Sequence, residues 1–391
     1  MSTPTVIVSG GAEAVSLAVV ERCVSLDGYA FVYALGSSSL LAGVPRCEVH
    51  FAPAGPREAV LEDLEGLLRS RFGTSGVLAI ATEDDSLGIL VDAMEARGQD
   101  LRLSRCRALS KGGLDKAEVF QFLQREELGR FLAVTQEVRC LDDLERVADT
   151  LGPRFVLKPV HKPWGDTLPG GVKLFREHDL QLARVRQLLR TEFERGQTWV
   201  AQPLLQPISG GERSACVVRD ASGQYRYAEV IERMKFPGKG GSACWVETCP
   251  GSEVLREATE SIVGALDLVG VAELSFLADA DGNPKLLELN PRPWLQIELL
   301  QASGFDVLSD MRAVVLGGAL QGADTDVAVH SWISLERFLL KLLKGDGVPR
   351  RETLKALALA VRKKPMVSVW SCSLPGVRAR WLRRCVARFV S

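Results

Sequence analysis

Residues 270–294 read GVAELSFLADADGNPKLLELNPRPW, and this stretch decides the fold. Two β-patterned runs, Val271 to Leu277 and Lys285 to Leu289, flank Asp279-Ala280-Asp281-Gly282-Asn283-Pro284. The pattern predicts a hairpin closed by a glycine-containing turn. Side chains alternate along a strand, so Glu273 and Ser275 share one face of the first run, and Glu288 and Asn290 one face of the second. Pairing the two runs brings these faces together. The carboxylate and amide oxygens gathered there suit Mg²⁺, a hard cation that takes oxygen ligands and phosphate. Arg292, two residues past Asn290, is expected on the same side.

Upstream of the hairpin, Phe155-Val156-Leu157-Lys158-Pro159 is a short strand ending in a lysine and a proline. Residues 160–173 hold His161, Lys162, Trp164, Asp166 and the pair Gly170-Gly171, too polar and glycine-rich for an ordinary strand, and read as a loop between strands. His161, Lys162 and Trp164 either cover a ligand or belong to a plain surface loop. A charged helix leads to Val200-Ala201-Gln202-Pro203-Leu204-Leu205. A β-rich stretch, Arg213 to Met234, is broken at Asp220-Ala221-Ser222-Gly223. Arg233, Lys235 and Lys239 then crowd a glycine-rich segment, either a grip for a carboxylate or phosphate or a solvated basic turn. Asp115-Lys116 opens an amphipathic helix running to about Gly129, and Leu141 to Leu151 is a further helix.

The first hundred residues have another texture. Thr5 to Val8 is β-rich and ends at Ser9-Gly10-Gly11; Ala14 to Val24 has a helical period; Tyr29 to Leu35 is a second strand. This strand–turn–helix–strand order is a βαβ signature. Ser9-Gly10-Gly11 lacks the third glycine and the acid after the second strand that a dinucleotide fingerprint carries. Val77 to Ala81 is another buried strand, followed by Thr82-Glu83-Asp84-Asp85. These acids either cap a helix from Leu87 onward or stand where open α/β sheets bind ligands.

The chain has 391 residues, room for two or three domains. With 46% hydrophobic and 25% charged residues it is an ordinary globular composition, which excludes disorder as the main state. Lys+Arg total 48 and Asp+Glu 49, a net charge of -1 that argues against nucleic acid as a partner over the whole surface. No apolar run reaches the roughly 18 residues that span a bilayer, and the start has no basic region before its apolar stretch, so no secretory signal is expected. The nine cysteines have no CxxC spacing and only four histidines accompany them, which points to reduced, buried thiols in the cytoplasm rather than zinc. After Glu352 there are no acids, while Arg378, Arg380, Arg383, Arg384 and Arg388 alternate with Trp370, Trp381 and Phe389. The tail is either a helical appendage packed through Leu382, Val386 and Phe389, or a surface for a membrane or another anionic partner.

The motif Glu288-Leu289-Asn290-Pro291-Arg292 resembles the metal-binding E-x-N-P-R of the ATP-grasp superfamily, closest to its carbamoyl-phosphate-synthase-like and carboxylate–amine ligase members. The resemblance covers roughly residues 110 to 320. Along it, Lys116 and Lys158 look like the family's two phosphate-facing lysines, and Pro169-Gly170-Gly171-Val172 like its glycine loop. Gln202, Leu204 and Leu205 look like the hinge at the adenine edge, and Glu212 like the acid on the ribose. The family usually has an acid or glutamine where this chain has Ser275, with Glu273 two residues earlier on the same face. Gln202 likewise stands where many relatives are acidic.

The resemblance implies an α/β and α+β chain: an N-terminal Rossmann-like domain over 1–112, a two-lobed ATP-grasp domain over 113–325, and a basic helical appendage over 326–391. It implies ATP and Mg²⁺, with Mn²⁺ as a substitute, held on Glu273, Ser275, Glu288 and Asn290. Arg292, Arg233 and Lys239 would stabilise the transferring phosphoryl group or grip a substrate. The expected reaction joins a small-molecule carboxylate to an amine through an acyl phosphate, releasing ADP and phosphate. A nucleotide-binding module with little or no turnover, using the basic tail as its interaction surface, is the alternative that Ser275 favours. A carboxylating or carbamoyl-type enzyme is a third reading. A homodimer is compatible with the resemblance.

Overall fold

A computed structural model of the chain describes residues 3–10, 13–36, 39–73, 75–97, 101–152, 154–160, 173–176, 183–208, 211–236, 242–320, 328, 330–345 and 348–390. The N-terminal part contains β1 (Thr5–Ser9), α1 (Glu13–Asp27), β2 (Ala30–Ala34), β3 (Cys47–Phe51), α2 (Arg57–Phe72), β4 (Val77–Ala81), α3 (Asp84–Arg97) and β5 (Leu101–Arg102). Its strands form one parallel sheet in the order β3-β2-β1-β4-β5. β1, β2 and β4 are continuous apolar runs because helices cover both faces of the sheet. The order reverses beside β1, so the carboxyl ends of β1 and β4 mark a crevice.

Gly10 follows β1 at that point. The Glu83 carboxylate occupies the space a Cβ on residue 10 would take. A larger residue at position 10 would displace the end of the Glu83 side chain, which comes from the neighbouring strand end.

A short antiparallel pair, β6 (Leu109–Ser110) and β7 (Gly113–Leu114), leads into α4 (Lys116–Arg125). It lies tightly on α3, where a Cβ on Gly88 would stand 2.4 Å from the Gly112 carbonyl oxygen. A small antiparallel sheet follows in the order β10-β9-β11-β8, from β8 (Gln136–Val138), β9 (Arg154–Pro159), β10 (Lys173–Arg176) and β11 (Trp199–Pro203). Helices α5 (Leu141–Leu151) and α6 (Ala183–Glu194) accompany it. Phe155, Leu157, Trp199 and Ala201 fill its core with Leu144, Val147 and Leu189 from those helices.

The largest sheet has seven strands, and the first to form it in sequence are β12 (Glu212–Arg219), β13 (Tyr225–Phe236) and β14 (Ser242–Cys249). After α7 (Glu253–Ala265) come β15 (Gly270–Ala278) and β16 (Pro284–Asn290), the predicted hairpin. Helices α8 (Ile297–Ala302) and α9 (Val307–Val315) then precede β17 (Ser331–Ile333), α10 (Leu335–Lys344), α11 (Arg350–Arg362), β18 (Met366–Val367) and α12 (Val377–Val390). The strand order is β16-β15-β12-β13-β14-β17-β18. One face packs on α4 and α7 through Val119, Leu123, Leu255 and Ile262. The other joins α1, α8, α9 and α12 in a core that includes Trp294, Trp332 and Trp381.

The 326–391 segment, expected as a basic helical appendage packed on the ATP domain, also contributes strands. β17 and β18 extend the seven-stranded sheet, and α12 buries Val377, Trp381 and Cys385 in the core that α1 shares. Arg380 donates to the Leu40 carbonyl oxygen at 2.9 Å, which ties α12 to the first parallel unit. All nine cysteines are free thiols and six are buried, as small apolar groups are.

Candidate functional site

The register of β15 and β16 builds the site. Glu273 stands opposite Asn290 and Ser275 opposite Glu288. Between Ser275 and Phe276 the register shifts, leaving Leu287 as an extra residue in β16. A bulge releases a backbone carbonyl from the ladder, and here Lys158 reaches it: its Nζ donates to the Leu287 oxygen at 3.2 Å. Lys158 sits at the end of β9 and is buried. Burial pulls its pKa down to about 8, against the Glu288 charge and with the Lys116 charge.

Lys116 is the first residue of α4, whose N-cap Asp115 accepts from the Glu118 amide at 2.9 Å. This places its Nζ 2.6 Å from Glu288 Oε1. Burial lowers the Lys116 pKa, but the Glu288 and Asp84 carboxylates outweigh it and hold the ammonium above its ordinary value. Burial pushes Glu288 up, and the Lys116 and Lys158 charges overcome that to hold it near 2. Glu288 is thus an ionised carboxylate at neutral pH, with two lysines beside it.

Arg292 follows the hairpin and is turned back by its own amide, which donates to the Asn290 carbonyl oxygen at 2.9 Å. Its Nε and one Nη donate to Asp84 Oδ1 at 2.9 and 2.6 Å, and that Nη lies 3.4 Å from Asn290 Oδ1. Asp84 opens α3 in the first unit. The helix expected from Leu87 starts earlier, at Asp84, so Asp84 and Asp85 lie in its first turn as expected, and Ser86 Oγ accepts from the amides of Thr82 and Glu83 at 3.0 and 2.9 Å. Asp84 also faces the site.

Glu273 is buried and accepts from Gln296 Nε2 at 2.8 Å and from Asn290 Nδ2 at 3.5 Å. Burial and the Glu232 charge raise its pKa to about 8, against the pull of Arg292. Ser275 is buried and its Oγ lies 3.3 Å from Ser214 Oγ. On β13, an irregularity in register with β14 spans Glu232 to Lys235. It sets Glu232 and Lys235, three apart, toward the same cleft, where Lys235 Nζ lies 2.7 Å from Glu212 and 3.1 Å from Glu232. Arg233 points elsewhere: its Nε donates to the buried Glu247 at 3.0 Å, and it does not line the cleft. Lys239, Gly170 and Gly171 lie outside the described residues, as do His161, Lys162 and Trp164.

Together these residues surround a cleft of about 550 Å³ at the junction of the first unit, α4 and the large sheet. Six carboxylates line it: Asp84, Asp85, Glu212, Glu232, Glu273 and Glu288. Five basic residues face them: Arg57, Lys111, Lys116, Lys235 and Arg292. Lys111 is brought there by the β6–β7 turn, whose Gly112 amide donates to Asp92 Oδ1 at 2.8 Å, while Arg57 holds the other oxygen of Asp92 at 2.9 Å. Gln202 is buried at the end of β11, away from this cleft, with its Nε2 donating to Thr135 Oγ1 at 3.0 Å. Its Oε1 has no partner among the described residues, and Leu204 and Leu205 just beyond are half-buried.

Sequence reasoning did not single out Glu232 or Gln296, and weighed Asp84 chiefly as a cap. Asp84 carried a signal, an acid just past a strand's carboxyl end. Gln296 carried none.

Mg²⁺ and a nucleotide fit this donor set. Two carboxylates and one amide oxygen, with Glu273 raised in pKa by burial and by the Glu232 charge, suit a divalent cation. Among the described residues no group of three or more His, Cys, Asp or Glu could hold a metal alone. That is the usual situation of Mg²⁺, which takes one or two carboxylates and completes its shell with substrate phosphates and water.

No family model and no curated protein matches the sequence. Solved structures do match in fold. An L-amino acid ligase from Bacillus licheniformis is 17% identical with a TM-score of 0.60, covering 80% of this chain and 74% of that one. An N5-carboxyaminoimidazole synthetase from Staphylococcus aureus, solved with ADP, is 14% identical with a TM-score of 0.60, over 89% and 86%. An N5-carboxyaminoimidazole ribonucleotide synthetase in its ADP complex is 16% identical with a TM-score of 0.61, over 93% and 99%. The parallel unit, the small antiparallel sheet and the large sheet with its β15–β16 hairpin are together the ATP-grasp fold, and this chain has it.

Proposed function

We propose that the chain is an ATP-dependent carboxylate–amine ligase. The observation that carries this reading is the convergence of Lys116, Glu288, Asn290 and Arg292 on one cleft, with the buried Lys158 bonded to the Leu287 carbonyl oxygen next to Glu288. Two ammonium groups, an ionised carboxylate and a guanidinium are thus drawn together from three segments, α4, β9 and residues 288–292. The likeness to an L-amino acid ligase supports the substrate pair, and the likeness to proteins solved with ADP supports the nucleotide.

In this reading a carboxylate oxygen attacks the γ-phosphorus, the bond to the β–γ bridging oxygen breaks, and ADP leaves. The amine nitrogen then adds to the acyl carbon, loses its proton, and expels phosphate. Phosphoryl transfer needs positioning and charge neutralisation more than covalent help from the protein. Lys116 and Lys158 hold the nucleotide phosphates. Gln202 Oε1 accepts from the adenine amino group, Leu204 and Leu205 contribute their backbone at the hinge, and Glu212 holds the ribose. Arg292, fixed by Asp84, stabilises the charge on the transferring phosphoryl group or the later oxyanion. Glu288, Asn290 and Glu273 would hold Mg²⁺, which would supply positive charge to offset that of the nucleotide phosphates. Mn²⁺ takes the same oxygens. Ser275 offers a hydroxyl only. Lys235 lines the same cleft, and Lys239 is the proposed grip on the substrate carboxylate.

Ser275, standing opposite Glu288 where a carboxylate would add a second strong ligand, favours the second reading, a nucleotide-binding module without turnover. A heavy-oxygen-labelled carboxylate panel, including bicarbonate, tests the choice. Transfer of label from the carboxylate to the released phosphate supports the ligase. ATP binding without any label transfer across the panel supports the module.

A further inference from the structure

The α10–α11 hairpin carries an exposed surface that the cleft does not use. On α11, Leu354 is 53% exposed and Val361 55%, and with Ala358 they stand at i, i+7 and i+4, one stripe of a helix. Leu359, about 100° round the helix from Ala358, is 50% exposed, and Leu343, at the end of α10, 60%. The opposite side of α11 is satisfied: Ala356, Leu357 and Ala360 pack on Phe338, Ile333 and Cys244. The exposed stripe is therefore a second apolar face on a helix that already has its core contact.

Its surroundings are almost purely basic. Lys344, Arg350, Arg351, Lys355, Arg362 and Lys364 are all exposed around it. From Lys341 to Lys364 there are eight basic residues against two acids, in a chain whose net charge is -1. Among the described residues no helix is long and apolar enough to cross a membrane.

We propose that this hairpin docks on an anionic lipid surface, with Leu354, Ala358 and Val361 set into the headgroup boundary and the flanking lysines and arginines on the lipid phosphates. Exposed leucine and valine flanked by Lys and Arg, on a helix lying along the surface, are the makings of an interfacial helix. Basic side chains are attracted to such a surface by roughly 1 kcal/mol each, about fivefold in partition. A second copy of the chain fits less well, because a two-fold interface would set these like charges against one another. A nucleic acid fits less well too, since the stripe holds no aromatic ring on which a base could stack. Lys363 does not join this surface: it reaches back to Glu247 at 2.6 Å.

The test is co-sedimentation of the full chain with vesicles of phosphatidylcholine, with and without about one-third phosphatidylglycerol, at low and high salt. The wild type is expected to partition onto the anionic vesicles at least about tenfold better than onto neutral ones, and to be released by salt. Leu354→Asp and the double change Arg351→Glu with Lys355→Glu, both at exposed sites, should each lower partition about tenfold or more while leaving the unfolding midpoint unchanged. Equal partition onto the two vesicle types overturns the proposal, as does wild-type binding by both variants. A dimer in sedimentation velocity that Leu354→Asp dissociates also overturns it, by assigning the stripe to a second copy.

Discussion

Asp84 and Arg292, 208 residues apart in sequence, meet in a two-pronged contact of 2.9 and 2.6 Å on one carboxylate oxygen. This joins the carboxyl edge of the parallel sheet to the end of the β15–β16 hairpin. The Arg292 side chain is 14% exposed, whereas that of Asp84 is 41% exposed. The guanidinium direction is thus set by a residue from another unit. Asp84→Asn should cost only about 1 kcal/mol of stability, because one partner is well solvated. Turnover should fall about tenfold or more, with the KM for ATP nearly unchanged, since the lysines are untouched. Steady-state kinetics and urea unfolding on the same variant check both.

Glu288 is the hub of the charge cluster. Glu288→Gln should reduce Mg²⁺-dependent turnover by a hundredfold or more. It should also change acid stability. The folded pKa near 2 lies below the ordinary value of 4.5, so ionised Glu288 stabilises the fold above about pH 4.5. That contribution is lost as pH falls toward 2. The variant should lack this component, which urea midpoints between those two pH values would show.

Lys158 titrates near 8, within reach of ordinary buffers. Above that pH the free protein loses an ammonium group that the nucleotide needs. ADP affinity should therefore fall as pH rises from 7 to 9, by up to about tenfold per unit above 8. Lys158→Arg, permanently charged, should flatten the dependence. Calorimetric titration at three pH values measures it.

Much of this site could be read from alternation alone. Glu273, Ser275, Glu288 and Asn290 fall on paired faces because a strand has a period of two, and the observed register opposes them as expected. The period fails at irregularities. On β13 the register shift beyond Glu232 brings Lys235, rather than Arg233, to the cleft, and single-residue alternation does not foretell such a shift. The bulge at Leu287, which gives Lys158 its acceptor, is equally silent in sequence. Asp84 was visible only as an acid after a strand, since a contact with Arg292 leaves no local trace.

The tail shows the same limit. Its arginines and aromatics suggested an appendage or an interaction surface, but packing decides, and Trp381 is 6% exposed against α1 and its neighbours. Trp381→Ala should cost about 3–5 kcal/mol, as for other large-to-small changes in a core. Chemical unfolding followed by fluorescence would show it.

Ser275→Asp tests the metal site. Placed opposite Glu288 and beside Glu273, the added carboxylate should tighten Mg²⁺ several-fold in the presence of ADP, and lower stability without metal by like-charge crowding. Unchanged Mg²⁺ affinity would mean that the hydroxyl was never the weak point.

The central claim is that this cleft couples ATP cleavage to the joining of two substrates. ADP release with Mg²⁺, ATP, and pooled carboxylic acids and amines measures that directly, with Glu288→Ala and Arg292→Ala alongside. The account predicts release that requires a carboxylate, rises with an amine, and disappears in both variants. Release that ignores both substrates, or that survives in Glu288→Ala, would contradict it.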